Sequence, residues 1–209
     1  MSMFYDIHAD DFSKSRFRIW PHVQIFLDSL KSNSRVLDIG CGNGKNMLYR
    51  DDLDMIGLEY SKGLCSICKS RLLPVVQGDA RSIPFEDNMF DAIIMIAVIH
   101  HINPDEHLKV LSEIQRVLRP GGICLITNWA VEQPDDSRRK FHPGLNMVTW
   151  KGKETLPLPY WVMDKTLAND FINNLPKGLK FMKLDWEAGN WHFTLQKITL
   201  KLQDEPVNV

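Results

Sequence analysis

Residues 35–44, Arg-Val-Leu-Asp-Ile-Gly-Cys-Gly-Asn-Gly, constrain the fold more than any other stretch of this chain. The short apolar run at 36–39 reads as a buried strand, and glycines at 40, 42 and 44 then let the backbone turn tightly and come close to a ligand. Asp38 stands near the end of that strand, where a carboxylate repels a pyrophosphate and suits a ligand carrying an ammonium or sulfonium charge. The dinucleotide fingerprint also asks for glycine three residues after its second glycine, and this chain has Lys45 there. The loop is therefore Gly-x-Gly-x-Gly, with Asp38, Gly40 and Gly42 as candidate cofactor contacts.

Glycines behind a strand can be plain turn punctuation, so their surroundings decide. A second strand, residues 54–59, ends in Glu59, 19 positions after Gly40. That is close to the spacing of about 20 at which an acid grips ribose hydroxyls in nucleotide-binding α/β folds. A third strand, 73–77, runs into Gly78-Asp79-Ala80, a turn beside the end of the second, where Asp79 can accept from an adenine amino group. The bland alternatives are a solvated strand-end acid for Glu59 and a turn cap for Asp79. A Gly-x-Gly-x-Gly loop with an acid at this spacing is the form found in S-adenosylmethionine sites.

The rest of the chain supplies the frame. Ser61 reads as the cap of a helix to about Arg71, and residues 90–98 form a fourth strand apolar on both faces, as a central parallel strand should be. His100 and His101 follow it at the carboxyl edge, where ligands bind in open α/β sheets. Asn103-Pro104-Asp105-Glu106 is a helix start with a cap, a first-turn proline and a glutamate placed for a capping box. Pro120-Gly121-Gly122 turns into a fifth strand, 123–129. This alternation predicts right-handed βαβ units and a parallel sheet. Residues 132–153, with Arg138-Arg139-Lys140, His142 and Trp150, read as a loop insertion, substrate-facing or simply solvated. A helix at 164–175 and strands at 179–186 and 191–200, joined by a hairpin turn at Glu187-Ala188-Gly189-Asn190, complete the sheet, and 203–209 reads as a flexible tail. Ahead of the first strand, residues 1–34 read as a helical extension in which Arg16 and Arg18 are interleaved with aromatics and Pro21 opens a helix. Arginine beside aromatics can hold phosphate or stack on bases; the alternative is a solvated turn.

At 209 residues the chain fits one domain, residues 1–202. A formal net charge of −1 excludes a uniformly basic nucleic-acid coat, so any RNA contact is local or shared with a partner. The longest apolar run, 92–99, is far short of the ~20 residues a membrane helix needs, and the first twenty residues lack a signal-peptide core. A cytosolic protein is expected. Cys65 and Cys68 form Cys-x-x-Cys without a second pair, so they read as two small helix residues and no metal site is expected.

Taken together, the glycine loop, the acidic second strand, Gly-Asp-Ala and the closing hairpin resemble class I S-adenosylmethionine-dependent methyltransferases over nearly the whole chain. The fold this implies is α/β: a single-domain Rossmann-like methyltransferase with a mostly parallel seven-stranded sheet and an antiparallel closing strand. Phe12-Ser13-Lys14-Ser15-Arg16-Phe17-Arg18-Ile19-Trp20-Pro21, Ile96-Ala97-Val98-Ile99-His100-His101 and Asn128-Trp129-Ala130-Val131-Glu132-Gln133 look like the eukaryotic wobble-uridine tRNA methyltransferases that esterify 5-carboxymethyluridine. The resemblance implies S-adenosyl-L-methionine at Asp38, Gly40, Gly42, Glu59, Asp79 and Ala80, with Arg16 and His100 or His101 serving the tRNA. It also implies a small zinc-binding activator subunit along an exposed sheet edge. The chain departs from the resembling proteins at Leu158-Pro159-Tyr160-Trp161, where they carry Arg-Tyr-Tyr-His. A small-molecule methyltransferase shares the cofactor motifs, and a non-catalytic binding subunit shares the fold. A carboxylate acceptor, ionised at neutral pH, needs no general base.

Overall fold

The computed structural model describes residues 2–149 and 157–199. The expected tail at 203–209, Leu200 and the last part of the 132–153 stretch, including Trp150, lie outside the described residues. Among the described residues nine strands are formed: β1 (Arg35–Ile39), β2 (Asp54–Glu59), β3 (Val75–Gln77), β4 (Phe90–Met95), β5 (Leu118–Trp129), β6 (Gly144–Thr149), β7 (Pro157–Val162), β8 (Leu179–Glu187) and β9 (Asn190–Lys197). The helices are α1 (Ser2–Ile7), α2 (Ala9–Ser15), α3 (Pro21–Asp28), α4 (Lys62–Ser70), α5 (His107–Val117) and α6 (Lys165–Asn173).

Seven strands make one sheet in the order β3-β2-β1-β4-β5-β9-β8. The five on the β3 side pair in parallel, and β9 is antiparallel to both neighbours, as expected. Successive side chains on a strand point to opposite faces, and both faces here are apolar. Leu37, Ile39, Ile93 and Met95 pack against Val110, Leu111 and Ile114 of α5 and Phe171 of α6. Val36, Ala92 and Ile94 meet Val23, Phe26 and Leu27 of α3 on the other side. Burying side chains of this size stabilises the fold by about 1.5–3 kcal/mol each. Pro21 sits in the first turn of α3, Ser61 accepts from the N–H of Leu64 to cap α4, and Ala188 and Gly189, both at positive φ, make the β8–β9 turn.

Several expectations are corrected. Part of the predicted loop at 132–153 is strand β6, paired antiparallel with β7 as a separate two-stranded sheet. Its alternation is inverted: Asn146 is buried while Leu145 and Met147 face solvent, so no apolar face marks it in the sequence. The fourth strand stops at Met95 instead of Val98, because the chain turns at Ala97, whose φ is 57° and whose N–H donates to Thr127 Oγ1 at 2.7 Å. The 120–122 turn is a bulge within β5, the register slipping between Phe90 and Ala92 of its neighbour. Glu106 leaves its capping box to bind Arg81. All four cysteines are buried free thiols.

Candidate active site

A cleft of about 720 Å³ opens along the carboxyl ends of the parallel strands, the usual ligand position in such sheets. Its first half is built from residues close in sequence. Gly40, Gly42 and Gly44 have φ of 67°, 59° and 76°, and a Cβ at Gly40 would strike the Val98 side chain. The Glu59 carboxylate accepts from the N–H of Gly42 and from that of Ser61, each at 2.8 Å, which fixes it beneath the loop. Burial raises its pKa, and those N–H groups pull it back. Asp79 is held differently from the expectation. Both of its oxygens accept from Arg81, which also donates to Glu106 at 2.9 Å and so spans the two lips of the cleft.

Asp38 does not line the cleft. It lies behind the wall, 1 % exposed, with one oxygen accepting from Asn46 Nδ2 at 3.2 Å and the other unpartnered. Burial pushes its pKa up to about 7, with a smaller push from the Glu59 charge. Asn46 does line the cleft, and its own Oδ1 is also unpartnered. Asn46 Oδ1 is an orphaned acceptor on the cleft that an ammonium group would satisfy, and Asp38 behind it supplies a carboxylate whose charge would favour a nearby cation. This half therefore fits S-adenosylmethionine: glycines for close approach, Glu59 and Asp79 for the nucleoside, and Asp38 with Asn46 for positive charge.

The other half is aromatic and basic, assembled from distant parts of the chain. Trp129 at the end of β5 stacks on Tyr160 of β7 at 4.5 Å and 27°, and Tyr160 stacks on His100 at 4.8 Å and 24°. Arg139 caps this ladder, its guanidinium 4.8 Å over the Trp129 ring. His101 is half-buried, with Nε2 at 2.9 Å from the Tyr5 hydroxyl of α1. Burial depresses both histidines, His100 well below its usual range and His101 to about 4, so both rings are neutral at pH 7. Positive charge on this side comes from arginine. Arg16 lies 4.2 Å over the Phe12 ring and pairs with no carboxylate among the described residues.

The segment carrying Arg16 is fastened to the glycine loop itself. Asn43 Nδ2 donates to the carbonyl of Arg16 at 2.9 Å and to Ser13, and Lys45 Nζ donates to the Arg18 carbonyl at 3.0 Å. Arg16, Gly40, Gly42, Glu59, Asp79, Ala80, His100 and His101 thus share one cleft, with Asp38 just behind it. Sequence reasoning missed Asn46, Tyr5, Trp129 and Tyr160 as site residues, and had Arg139 only within a basic stretch read as substrate-facing or solvated. Of the four missed, Trp129 carried a usable signal, its place at a strand's carboxyl end.

Comparison with known proteins gives a consistent picture. A family described as "Methyltransferase domain" matches residues 37–126. The tRNA (carboxymethyluridine(34)-5-O)-methyltransferase of Schizosaccharomyces pombe is 42 % identical over 177 residues, covering 84 % of this chain and 72 % of that protein. The protein of the same description from Arabidopsis thaliana is 43 % identical over 134 residues, 64 % of this chain but 33 % of that protein. The chain thus spans about a third of that relative's length. Among solved structures, a chain of the complex between the Haloferax volcanii Trm112 methyltransferase activator and a putative methyltransferase aligns with TM-score 0.68 at 17 % identity, covering 93 % of this chain and 98 % of that one. Burkholderia thailandensis 1,6-didemethyltoxoflavin-N1-methyltransferase, bound to S-adenosylhomocysteine, aligns with TM-score 0.67 at 16 % identity, covering 94 % and 85 %.

Proposed function

The chain belongs to the family of the tRNA (carboxymethyluridine(34)-5-O)-methyltransferases, enzymes with the class I S-adenosylmethionine-dependent fold, and on that premise we propose that it methylates the carboxylate of 5-carboxymethyluridine at the tRNA wobble position. The observation that carries the reading is the polarity of the cleft. Buried acids stand on the cofactor side, and the unpaired guanidinium of Arg16 stands beside neutral, aromatic-packed histidines on the other. An anionic acceptor complements that arrangement.

When bound, S-adenosylmethionine supplies an electrophilic methyl group on a sulfonium centre. Asp38 and Asn46 balance its positive charge, Glu59 and Asp79 hold the nucleoside, and Gly40 and Gly42 let the backbone approach. Arg16 binds the acceptor carboxylate and orients one of its oxygens. His101, fixed by Tyr5, and His100, fixed in the aromatic ladder, shape the wall beside it. A carboxylate with a pKa near ~4 is already ionised, so neither histidine has to accept a proton. Rate enhancement then rests on positioning. The partner in this reading is a small zinc-binding activator subunit along an exposed sheet edge, of which the sheet has two, β3 and β8; the archaeal activator complex that shares the fold supports an activator of this kind. Among the described residues no helix is long and apolar enough to cross a membrane, and the reading places the reaction in the cytoplasm.

The test is transfer of labelled methyl from S-adenosylmethionine to tRNA from cells lacking this modification, with the activator co-expressed, followed by nucleoside mass spectrometry. Formation of 5-methoxycarbonylmethyluridine is expected. Transfer to a small carboxylic acid, and none to tRNA, would replace the reading with a small-molecule methyltransferase.

A further inference from the structure

A second groove, of about 760 Å³, adjoins the cleft on the far side of a shared wall made by Arg16, Trp129, Arg139 and Tyr160. Its outer wall is strand β6, through Met147, Val148 and Thr149, and its rim carries Arg139, Lys140 and His142. Asn146 fixes the turn leading into that strand: its side chain donates to the carbonyls of His142 and Gly144 and accepts from the N–H of His142. The groove is therefore a built feature of the small β6–β7 sheet.

Its charges are uncommitted. Arg35, Arg50, Arg81, Arg116 and Arg119 each pair with a carboxylate. Among the described residues Arg16, Arg139 and Lys140 pair with none, nor do Arg18, Arg71 and Arg138, but the first three are gathered at this groove, with Asp11 on the same rim. Arg139 instead rests on the Trp129 ring, and Phe141 lies 5.4 Å from that ring, tilted by 36°. Exposed guanidinium and ammonium groups over an aromatic floor suit a phosphodiester with an unstacked base beside it.

The geometry points to this groove as the seat of a nucleotide that flanks the acceptor: its phosphate on Arg139 and Lys140, its base on the floor of Phe141 and the Trp129 edge. This rests on the tRNA reading above. The groove adjoins the cleft across the shared wall, so the backbone of an acceptor whose base enters the cleft has a direct route into it. The site would make the enzyme select for an acceptor embedded in single-stranded RNA, since a free nucleoside has no phosphate to place there.

The probe is an anticodon stem–loop RNA bearing 5-carboxymethyluridine. It is used unmodified and with a neutral methylphosphonate at the phosphate on the 5′ or the 3′ side of the acceptor. Binding to the activator-bound protein is measured by fluorescence anisotropy at two salt concentrations, and methyl transfer to the same RNA is followed alongside. For the wild type, one of the two methylphosphonates should weaken binding about tenfold. R139A and K140A should weaken binding of the unmodified RNA to a similar degree, flatten the salt dependence by about one charge each, and lose little more on that methylphosphonate RNA. Cofactor affinity checks that each variant is folded. Wild-type transfer combined with unchanged RNA binding by both variants overturns the groove and leaves the reaction standing. No wild-type transfer overturns both.

Discussion

Replacing Asp38 with asparagine should make the cofactor-free protein more stable and its cofactor binding much weaker. In the folded chain the carboxyl moves from 3.8 to about 7 because it is buried, with one oxygen unpartnered. Below pH 3.8 the group is neutral in folded and unfolded chains alike and costs nothing. As pH rises from 3.8 through 7 the unfolded chain releases a proton that the folded chain keeps, so stability falls, by about 4 kcal/mol once both are ionised. The amide of Asp38→Asn would remove that cost and leave a buried donor without a partner, worth about 1–3 kcal/mol in the other direction. The expected net gain at pH 8 is about 1–3 kcal/mol, a few degrees in Tm for a chain of this size. Losing the buried anion opposite a cationic ligand should cost about 2 kcal/mol or more of affinity, roughly thirtyfold. Differential scanning fluorimetry at pH 8 and pH 4, with and without S-adenosylmethionine, reads the stability, and calorimetry reads Kd. The Tm gain should vanish near pH 4. A variant that is less stable at pH 8 and binds the cofactor as tightly as wild type would refute the reasoning.

Other perturbations separate the two halves of the cleft. Arg16→Ala should lower kcat/KM for tRNA about a hundredfold, the loss of a charge-assisted contact, while cofactor Kd stays within a few fold; equal loss of both would remove Arg16 from the acceptor side. Because His101 sits at about 4, the pH profile of kcat at saturating cofactor should show no limb near pH 6.5, and a limb there would contradict a neutral ring. The same depressed value means that, as pH falls from 6.5 toward 4, the unfolded chain takes up a proton the folded chain refuses, so this residue lowers Tm over that interval. Gly40→Ala places a side chain at φ 67° and against Val98, and should lower urea-denaturation stability by more than about 2 kcal/mol; an unchanged midpoint would show the loop relaxes freely.

The cofactor half was legible because its chemistry is local. Strand, glycine loop, strand-end acid and Gly-Asp-Ala lie within residues 35–80, and each has a backbone reason that a sequence displays. Even there the reading took Asp38 as a direct cofactor contact, whereas it lies behind the cleft and Asn46, eight residues on and bonded to it, is the one that lines it. Asp79, read as an acceptor for an adenine amino group, also carries Arg81 on both its oxygens, a partner the reading did not foresee. The acceptor half was mostly hidden. Tyr5, Trp129, Arg139 and Tyr160 meet only through tertiary packing, and Tyr160 stands in Leu-Pro-Tyr-Trp, which carries no periodicity. Strand β6 escaped for a related reason: its buried position is an asparagine held by hydrogen bonds, and its apolar side chains face water.

Asn43 bears on a further matter, the constancy of the gap between donor and acceptor. One amide on the loop that cradles the cofactor also grips the backbone of Arg16, the residue assigned to the acceptor. If Arg16 holds the acceptor as proposed, a fluctuation of that loop would be carried into both reactants together, as common-mode motion. A shared displacement leaves the separation of the two reacting atoms unchanged, so the loop can breathe without detuning a reaction in which an error of about 1 Å is expensive.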